Sequence, residues 1–223
     1  MPTRSCFAAL ALLTLLSGHP AFADEPPKPR ALFDGQSLDG WKKTPFFKAE
    51  GLDVRVEDGS IVLPQGTPMS GITTTRGDLP TVDYELRYEA RRTAGADFFA
   101  AATFPVGKSF VTFVNGGWGG SVTGLSSLNG MDAAENSTNT FVKYQNETWY
   151  RFRVRVTAKV VRGWVDDKEV FAVDHGELAL KTRLETRPNQ PLGFATWKSS
   201  GAIRRVEVRA LTPAEVQSND KLD

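Results

Sequence analysis

The sequence predicts an all-β protein, a sandwich or barrel of antiparallel strands. Two stretches alternate apolar and polar residues without a break. In Val82–Arg92, Tyr84, Leu86, Tyr88 and Ala90 take one face, while Asp83, Glu85, Arg87, Glu89 and Arg91 take the other. In Trp149–Thr157, Tyr150, Phe152, Val154 and Val156 oppose Arg151, Arg153 and Arg155. Successive side chains of a strand point to opposite sides, so a period of two over such lengths describes a half-buried antiparallel strand. The third observation is spacing: short apolar runs recur between turn residues along the chain, and almost nothing keeps a helical period, as in sandwiches and barrels. The acidic side of one stretch and the basic side of the other suit a cross-strand ladder, each pair contributing about 0.2–1 kcal/mol. Such a polar face either lines a groove or meets water.

The chain opens with what reads as an export signal, residues 1–23. Arg4 gives a positive start, and Cys6–Leu16 is an apolar run short of the ~20 residues that span a bilayer. Ser17–Pro20 break that run, and Ala21-Phe22-Ala23 places small residues where a signal peptidase reads. Cleavage after Ala23 is expected, with a secreted or periplasmic product. Residues 24–30 form a Pro-rich, extended linker, and residues 31–211 hold the β domain. Within it, Arg55–Leu63 reads as a hairpin turning at Asp58-Gly59. Val160–Val165 and Glu169–Val173 form another, around Asp166-Asp167-Lys168. Pro191–Trp197 and Ala202–Leu211 are two further strands, with turn residues Lys198–Gly201 between them. The tail, 212–223, starts with Thr212-Pro213-Ala214-Glu215, an N-cap, a first-position proline and a capping-box acid, which predict a short helical turn.

Composition excludes several classes. Lys+Arg number 27 and Asp+Glu 26, and loss of Arg4 would bring the balance to zero. No basic excess exists to neutralise phosphates, which argues against a nucleic-acid partner. Cys6 is the single cysteine and would leave with the signal, so no disulfide scaffold, thiol nucleophile or cysteine metal site is expected. No second apolar span follows, so no membrane span is expected after cleavage. His175, the one histidine expected to remain once His19 leaves with the signal, sits in a turn-like Asp-His-Gly, without partners for a zinc site. Ordinary two-carboxylate glycoside hydrolysis is disfavoured, because Asp83, Glu85 and Glu89 share their face with Arg87.

Four segments together resemble one family. They are Leu32–Trp41 (LFDGQSLDGW), Val56–Ile61 (VEDGSI), Asp83–Glu89 (DYELRYE) and Pro191–Trp197 (PLGFATW). They are similar to the 3-keto-disaccharide hydrolase domain, DUF1080. The resemblance implies a concanavalin A-like jelly-roll β-sandwich in exported bacterial proteins, acting on glycosides whose 3-hydroxyl has become a ketone. The ketone acidifies the C2 proton; a base removes it, the enediolate expels the C1 substituent, and water adds back. Such a site needs a tuned base and a cation or donors for the enediolate, and a divalent metal is one way to supply the latter. The middle departs from the family pattern: Gly95-Ala96-Asp97-Phe98-Phe99 and Ser109–Asn115 replace a Gly-Asn-Ser-Gly turn and a Tyr-Glu-x-Gln strand. No catalytic residue is carried over from there.

Candidate chemistry is therefore read from the residues themselves. Asn115-Gly116-Gly117-Trp118-Gly119-Gly120-Ser121 forfeits side-chain packing and backbone entropy, which suits close approach of a ligand. Trp118 is a candidate platform for a sugar ring, or a buried anchor of a tight hairpin. Asn115 is a second candidate contact. Asp132 and Glu135, with Asn136, form a polar loop that offers acid, base or oxygen ligands, or plain surface. Asp97, beside two phenylalanines, is a candidate base whose desolvation would tune it. Trp197 ends a strand and is placed to line a groove mouth or the core. The sequence thus predicts a carbohydrate-active domain acting on 3-keto-glycosides, with Asp97, Asp132 and Glu135 as catalytic candidates. The alternative is a non-catalytic carbohydrate-binding module.

Overall fold

The structure, a computed structural model, describes residues 26–49 and 51–222. The export signal lies outside the described residues. Among the described residues, fifteen strands follow one another. The first five are β1 (Arg30–Ala31), β2 (Trp41–Lys43), β3 (Arg55–Glu57), β4 (Ser60–Leu63) and β5 (Met69–Thr74). The next five are β6 (Tyr84–Ala94), β7 (Ala101–Val106), β8 (Ser109–Gly116), β9 (Val122–Ser126) and β10 (Thr140–Phe141). The last are β11 (Tyr150–Val156), β12 (Val160–Val165), β13 (Lys168–Asp174), β14 (Gly193–Trp197) and β15 (Ser200–Ala210). They form two antiparallel sheets. The first runs β13-β12-β11-β6-β15-β4-β3, with β1 also on β15; the second runs β10-β9-β8-β7-β14-β5-β2. The fold is a concanavalin A-like jelly-roll sandwich.

The alternation read from sequence is what closes this sandwich. Tyr84, Leu86, Tyr88 and Ala90 of β6 and Phe152, Val154 and Val156 of β11 are sealed in the core. They meet Ile72, Phe104, Phe113, Leu125 and Phe194 of the second sheet, all equally buried. Tyr88 stacks on Phe152 and takes Phe194 edge-on, each at 4.9 Å between centroids. Burying each of these aromatic side chains stabilises by about 1.5–3 kcal/mol. Both predicted hairpins form: Asp58 and Gly59 turn β3 into β4, and Asp166 and Asp167 turn β12 into β13, all four at positive φ.

The outward pleat of the first sheet carries the expected ladder at one rung, Arg155 to Glu85, whereas Arg151 pairs with Asp167 and Glu89 with Arg204 and Arg205. Arg155 lies opposite Glu85, and Arg151 opposite Glu89. Glu85, although fully buried, holds Arg155 at 2.6 Å, Arg209 at 2.9 Å and Arg87 at 2.5 Å. Burial pushes its carboxyl up, but the hydrogen bond and charge of Arg155, then Arg87 and Arg209, prevail and hold it below the usual carboxylate range. The helix Pro213–Asn219 docks here, capped as predicted by Thr212 and Glu215. Glu215 also pairs with Arg209 and Arg155. The Pro-rich linker is shorter by one residue than the sequence suggests, because Arg30 already pairs with Val208. His175 sits in its turn with Nε2 at 3.1 Å from the Thr157 carbonyl.

Candidate functional site

The outward pleat of the second sheet is different in kind. Met69 of β5, Ala101 of β7, Thr112 and Val114 of β8, Ser126 of β9 and Trp197 of β14 form the floor of a cavity of about 280 Å³. Its walls come from loops: Asp97 and Phe98, Trp118, and the run Arg183, Glu185 and Thr186. Floor hydroxyls are paired among themselves, Thr103 to Thr112 at 2.9 Å and Thr112 to Thr186 at 3.1 Å. An apolar hollow with a few convergent polar groups at its rim is the usual form of a small-molecule site.

Two tryptophans shape it. Trp197 closes β14 against Met69, its ring 6.2 Å from that of Phe98. Trp118 projects from the glycine-rich turn and is 45% exposed, which leaves ring surface free to stack. Its backbone is left-handed, at φ 48°, a conformation that costs a residue with a Cβ about 1–2 kcal/mol. The turn is therefore held rather than relaxed. Gly120 has φ 115°, and a Cβ there would lie 2.9 Å from the Ala96 carbonyl, so only glycine fits.

Asp97 is the clasp of that turn. Its Oδ1 accepts the Phe98 amide at 2.8 Å and its Oδ2 accepts the Gly119 amide at 3.2 Å. Both oxygens retain further lone pairs, and the residue lines the cavity. Across the hollow, Arg183 forks onto Glu185, Nε to Oε2 at 3.3 Å and Nη2 to Oε1 at 3.2 Å. The same guanidinium bonds Asp132, whose Oδ1 also accepts the Ser126 hydroxyl at 3.2 Å. The hydrogen bond from Arg183 holds the Glu185 carboxyl below its ordinary range. Arg183 is the cation lining the cavity, and it is already paired with two carboxylates, Glu185 and Asp132.

The sequence-predicted residues thus fall into three sets. Asp97, Trp118 and Trp197 meet around one cavity. Asp132 stands behind Arg183, and Glu135 is a further step back, exposed, its Oε2 accepting the Asp132 amide at 3.3 Å. Asn115 and Asn136 are sealed inside and do not face the cavity. Asn115 is fully buried, its amide donating to Ala100 O at 2.9 Å and accepting from Ala100 N at 3.2 Å. Asn136 donates to Leu125 O, Asp132 O and Met131 O. Each fastens a loop to the sheet, since a buried amide must spend its donors and acceptor internally. Sequence reasoning missed Arg183 and Glu185. Their signal was weak: an Arg-x-Glu pair in a strandless run between β13 and β14 that must cross the sheet face.

A metal requires gathered oxygen or nitrogen ligands. Among the described residues no three of His, Cys, Asp or Glu converge, so Asp97, Asp132, Glu135 and Glu185 do not make a divalent-ion site. No described helix is long and apolar enough to cross a membrane.

Comparison with known proteins adds the following. The family model of the 3-keto-alpha-glucoside-1,2-lyase-like domain matches residues 28–209. No match was found among curated protein sequences. Domain 4 of a GH43 extracellular arabinanase from Geobacillus stearothermophilus, solved with arabinotriose, superposes with a TM-score of 0.55 at 17% identity, over 88% of this chain and 100% of that one. A structure from the endo-acting O-glycanases of human gut microbiota gives 0.52 at 16% identity, over 86% and 97%. At these identities the likeness is one of fold.

Proposed function

The chain belongs to the 3-keto-alpha-glucoside-1,2-lyase-like domain family, and from that premise we propose that the cavity on the second sheet binds and cleaves 3-keto-glycosides. The observation that carries this reading is the convergence of Asp97, Arg183, Trp118 and Trp197 on one hollow of about 280 Å³. A sugar ring presents C–H groups that suit the tryptophan faces. Asp97 takes the C2 proton, the electron pair of that bond forms the enediolate, and the C1–O bond breaks. Arg183 opposes the negative charge on the enediolate oxygen, where a fixed cation acts most strongly. Asp97 then returns its proton to the departing oxygen, and water adds to the unsaturated sugar. Export through the leader remains part of the proposal; N-terminal sequencing of secreted protein tests it, with Asp24 expected first.

The decisive assay is release of an aryl aglycone from a 3-keto-glucoside, run with and without added divalent ion. Asp97→Asn is expected to lower turnover by about 10²–10⁴-fold, the range of a general base, with the fold retained by circular dichroism. Turnover unchanged in that variant would remove Asp97 from the chemistry.

One observation favours a second reading, a module that binds glycans without cleaving them. Both Asp97 oxygens are engaged by backbone amides, which is also what a purely architectural clasp would show. Retention on a glycan column with no turnover of any 3-keto-glycoside supports that reading.

A further inference from the structure

The cavity on the second sheet is two-sided. On one side β8 and β9 supply Thr112 and Ser126, and the run between β13 and β14 supplies Arg183, Glu185 and Thr186. On the other side Met69 of β5 and Trp197 of β14 are directly paired in the sheet, and the Phe98 ring stands 6.2 Å from that of Trp197. Behind them lies an apolar cluster of its own, distinct from the sandwich core: Phe46, Met69 and Ala195, with Phe98, Trp197 and Ala49 packed against it. The Phe46 ring rests on the outward face of β5 at Gly71, where a Cβ would meet it at 2.6 Å. Phe98 and Trp197 are only half-buried, so their rings present apolar surface to the hollow.

The two sides suit different halves of a glycoside. The side chains of Met69, Phe98 and Phe46 carry no N–H or O–H. A second sugar laid against them would give up water on its hydroxyls and find few partners in return. An apolar ring there loses nothing and gains stacking surface. The chemistry of the bond also fixes the direction. In a 3-keto-glycoside C1 and C3 flank C2. With Asp97 at C2 and Arg183 opposing the oxygen on C3, the C1–O bond points away from Arg183, past Asp97. Asp97 directly precedes Phe98 and accepts its amide at 2.8 Å, so the far side of Asp97 is the wall of Phe98, Trp197 and Met69.

We infer that this wall is the leaving-group subsite, and that the substrate is a 3-keto-glycoside of an apolar, ring-bearing alcohol rather than a 3-keto-disaccharide. The inference rests on the cleavage proposed above. Trp118, tied to the other oxygen of Asp97 through the Gly119 amide, is left as the platform for the sugar. Phe98 and Met69 are then residues that set specificity without taking part in the bond changes.

The test keeps the sugar constant and varies the departing alcohol: methyl, benzyl and glucosyl 3-keto-glucosides, read as kcat/KM. Methanol and benzyl alcohol are nearly equal as leaving groups, and a sugar hydroxyl is more acidic than either, so intrinsic reactivity favours the disaccharide. The benzyl compound should nonetheless exceed both, and exceed the methyl one by about tenfold or more, as for an apolar group filling a pocket. Phe98→Ala should lower the benzyl-to-methyl ratio by about tenfold. If that variant does not fold, Met69→Gln, which keeps the side-chain length and puts an amide in the wall, should lower the same ratio. A ratio near one, or fastest turnover of the glucosyl compound, would overturn the inference and leave the cleavage in place. Binding of the same compounds to Asp97→Asn protein, followed by tryptophan fluorescence, keeps the two readings apart. Benzyl bound more tightly than methyl, with nothing cleaved by the native protein, would remove the cleavage and keep the apolar subsite; equal binding would remove the subsite.

Discussion

On the first sheet the outward pleat of β6, β11, β12 and β15 is ionic, and its members bind each other: Glu85 and Glu89 between them engage Arg87, Arg155, Arg204, Arg205 and Arg209. On the second sheet the equivalent pleat is Met69, Ala101, Thr112, Val114 and Ser126, and every charge lining its hollow, Asp97, Arg183 and Glu185, arrives from a loop. One face spends its polar groups on strand-to-strand connection. The other leaves a hollow and delegates its chemistry to segments without periodicity. Scaffold and site are thus written in different parts of the chain, in keeping with the general tendency of rigid sheets to present functional loops.

Substitutions can break this contrast, and they rank by expected effect. Glu85→Gln removes the charge around which Arg155, Arg209 and Arg87 gather, and is expected to cost about 3–5 kcal/mol in urea unfolding, as for one lost partner of a buried ion pair. Next comes acid. The hydrogen bond from Arg209 holds the Glu215 carboxyl at about 2 against an ordinary 4.5. A depressed carboxyl contributes stability above its unfolded value and loses it as pH falls through the folded one. About 2–3 kcal/mol should therefore disappear between roughly pH 4.5 and 2, and Glu215→Gln should flatten that slope in a pH series of unfolding midpoints. Asn136→Ala strands the buried Thr138 amide and takes a donor from the Leu125 carbonyl, at about 1–2 kcal/mol, measured by thermal unfolding. Smallest is Trp118→Asn: asparagine tolerates positive φ, so stability should move by less than about 0.5 kcal/mol. Glycoside affinity, measured by calorimetry, should nonetheless fall. A large loss of stability there would show that the tryptophan anchors the turn instead of facing ligand.

What the sequence revealed follows the same division. Tyr84 to Ala90 and Tyr150 to Val156 announce their faces because a pleat repeats every two residues. Asp58-Gly59 and Asp166-Asp167 announce turns because their backbone needs positive φ. Trp118 could be singled out because four glycines around an indole make sense only where the backbone is constrained. Asn115 and Asn136 misled, since a polar residue beside glycines or acids looks like surface. Only the strand partners show that Asn115, opposite Thr123, points inward to fasten Ala100. Arg183 and Glu185 left almost no trace, because nothing in the run between β13 and β14 states which strand it will cross.

Both ends of the described chain leave from one side. β1 is hydrogen-bonded to β15, and the terminal helix is tied to Arg155, Arg162 and Arg209, all on the first sheet. The hollow with its two indoles opens on the opposite sheet. A tag, tether or solid support joined at either end of the described chain would thus turn this opening toward solution, and immobilised protein should reach substrate as readily as protein left free.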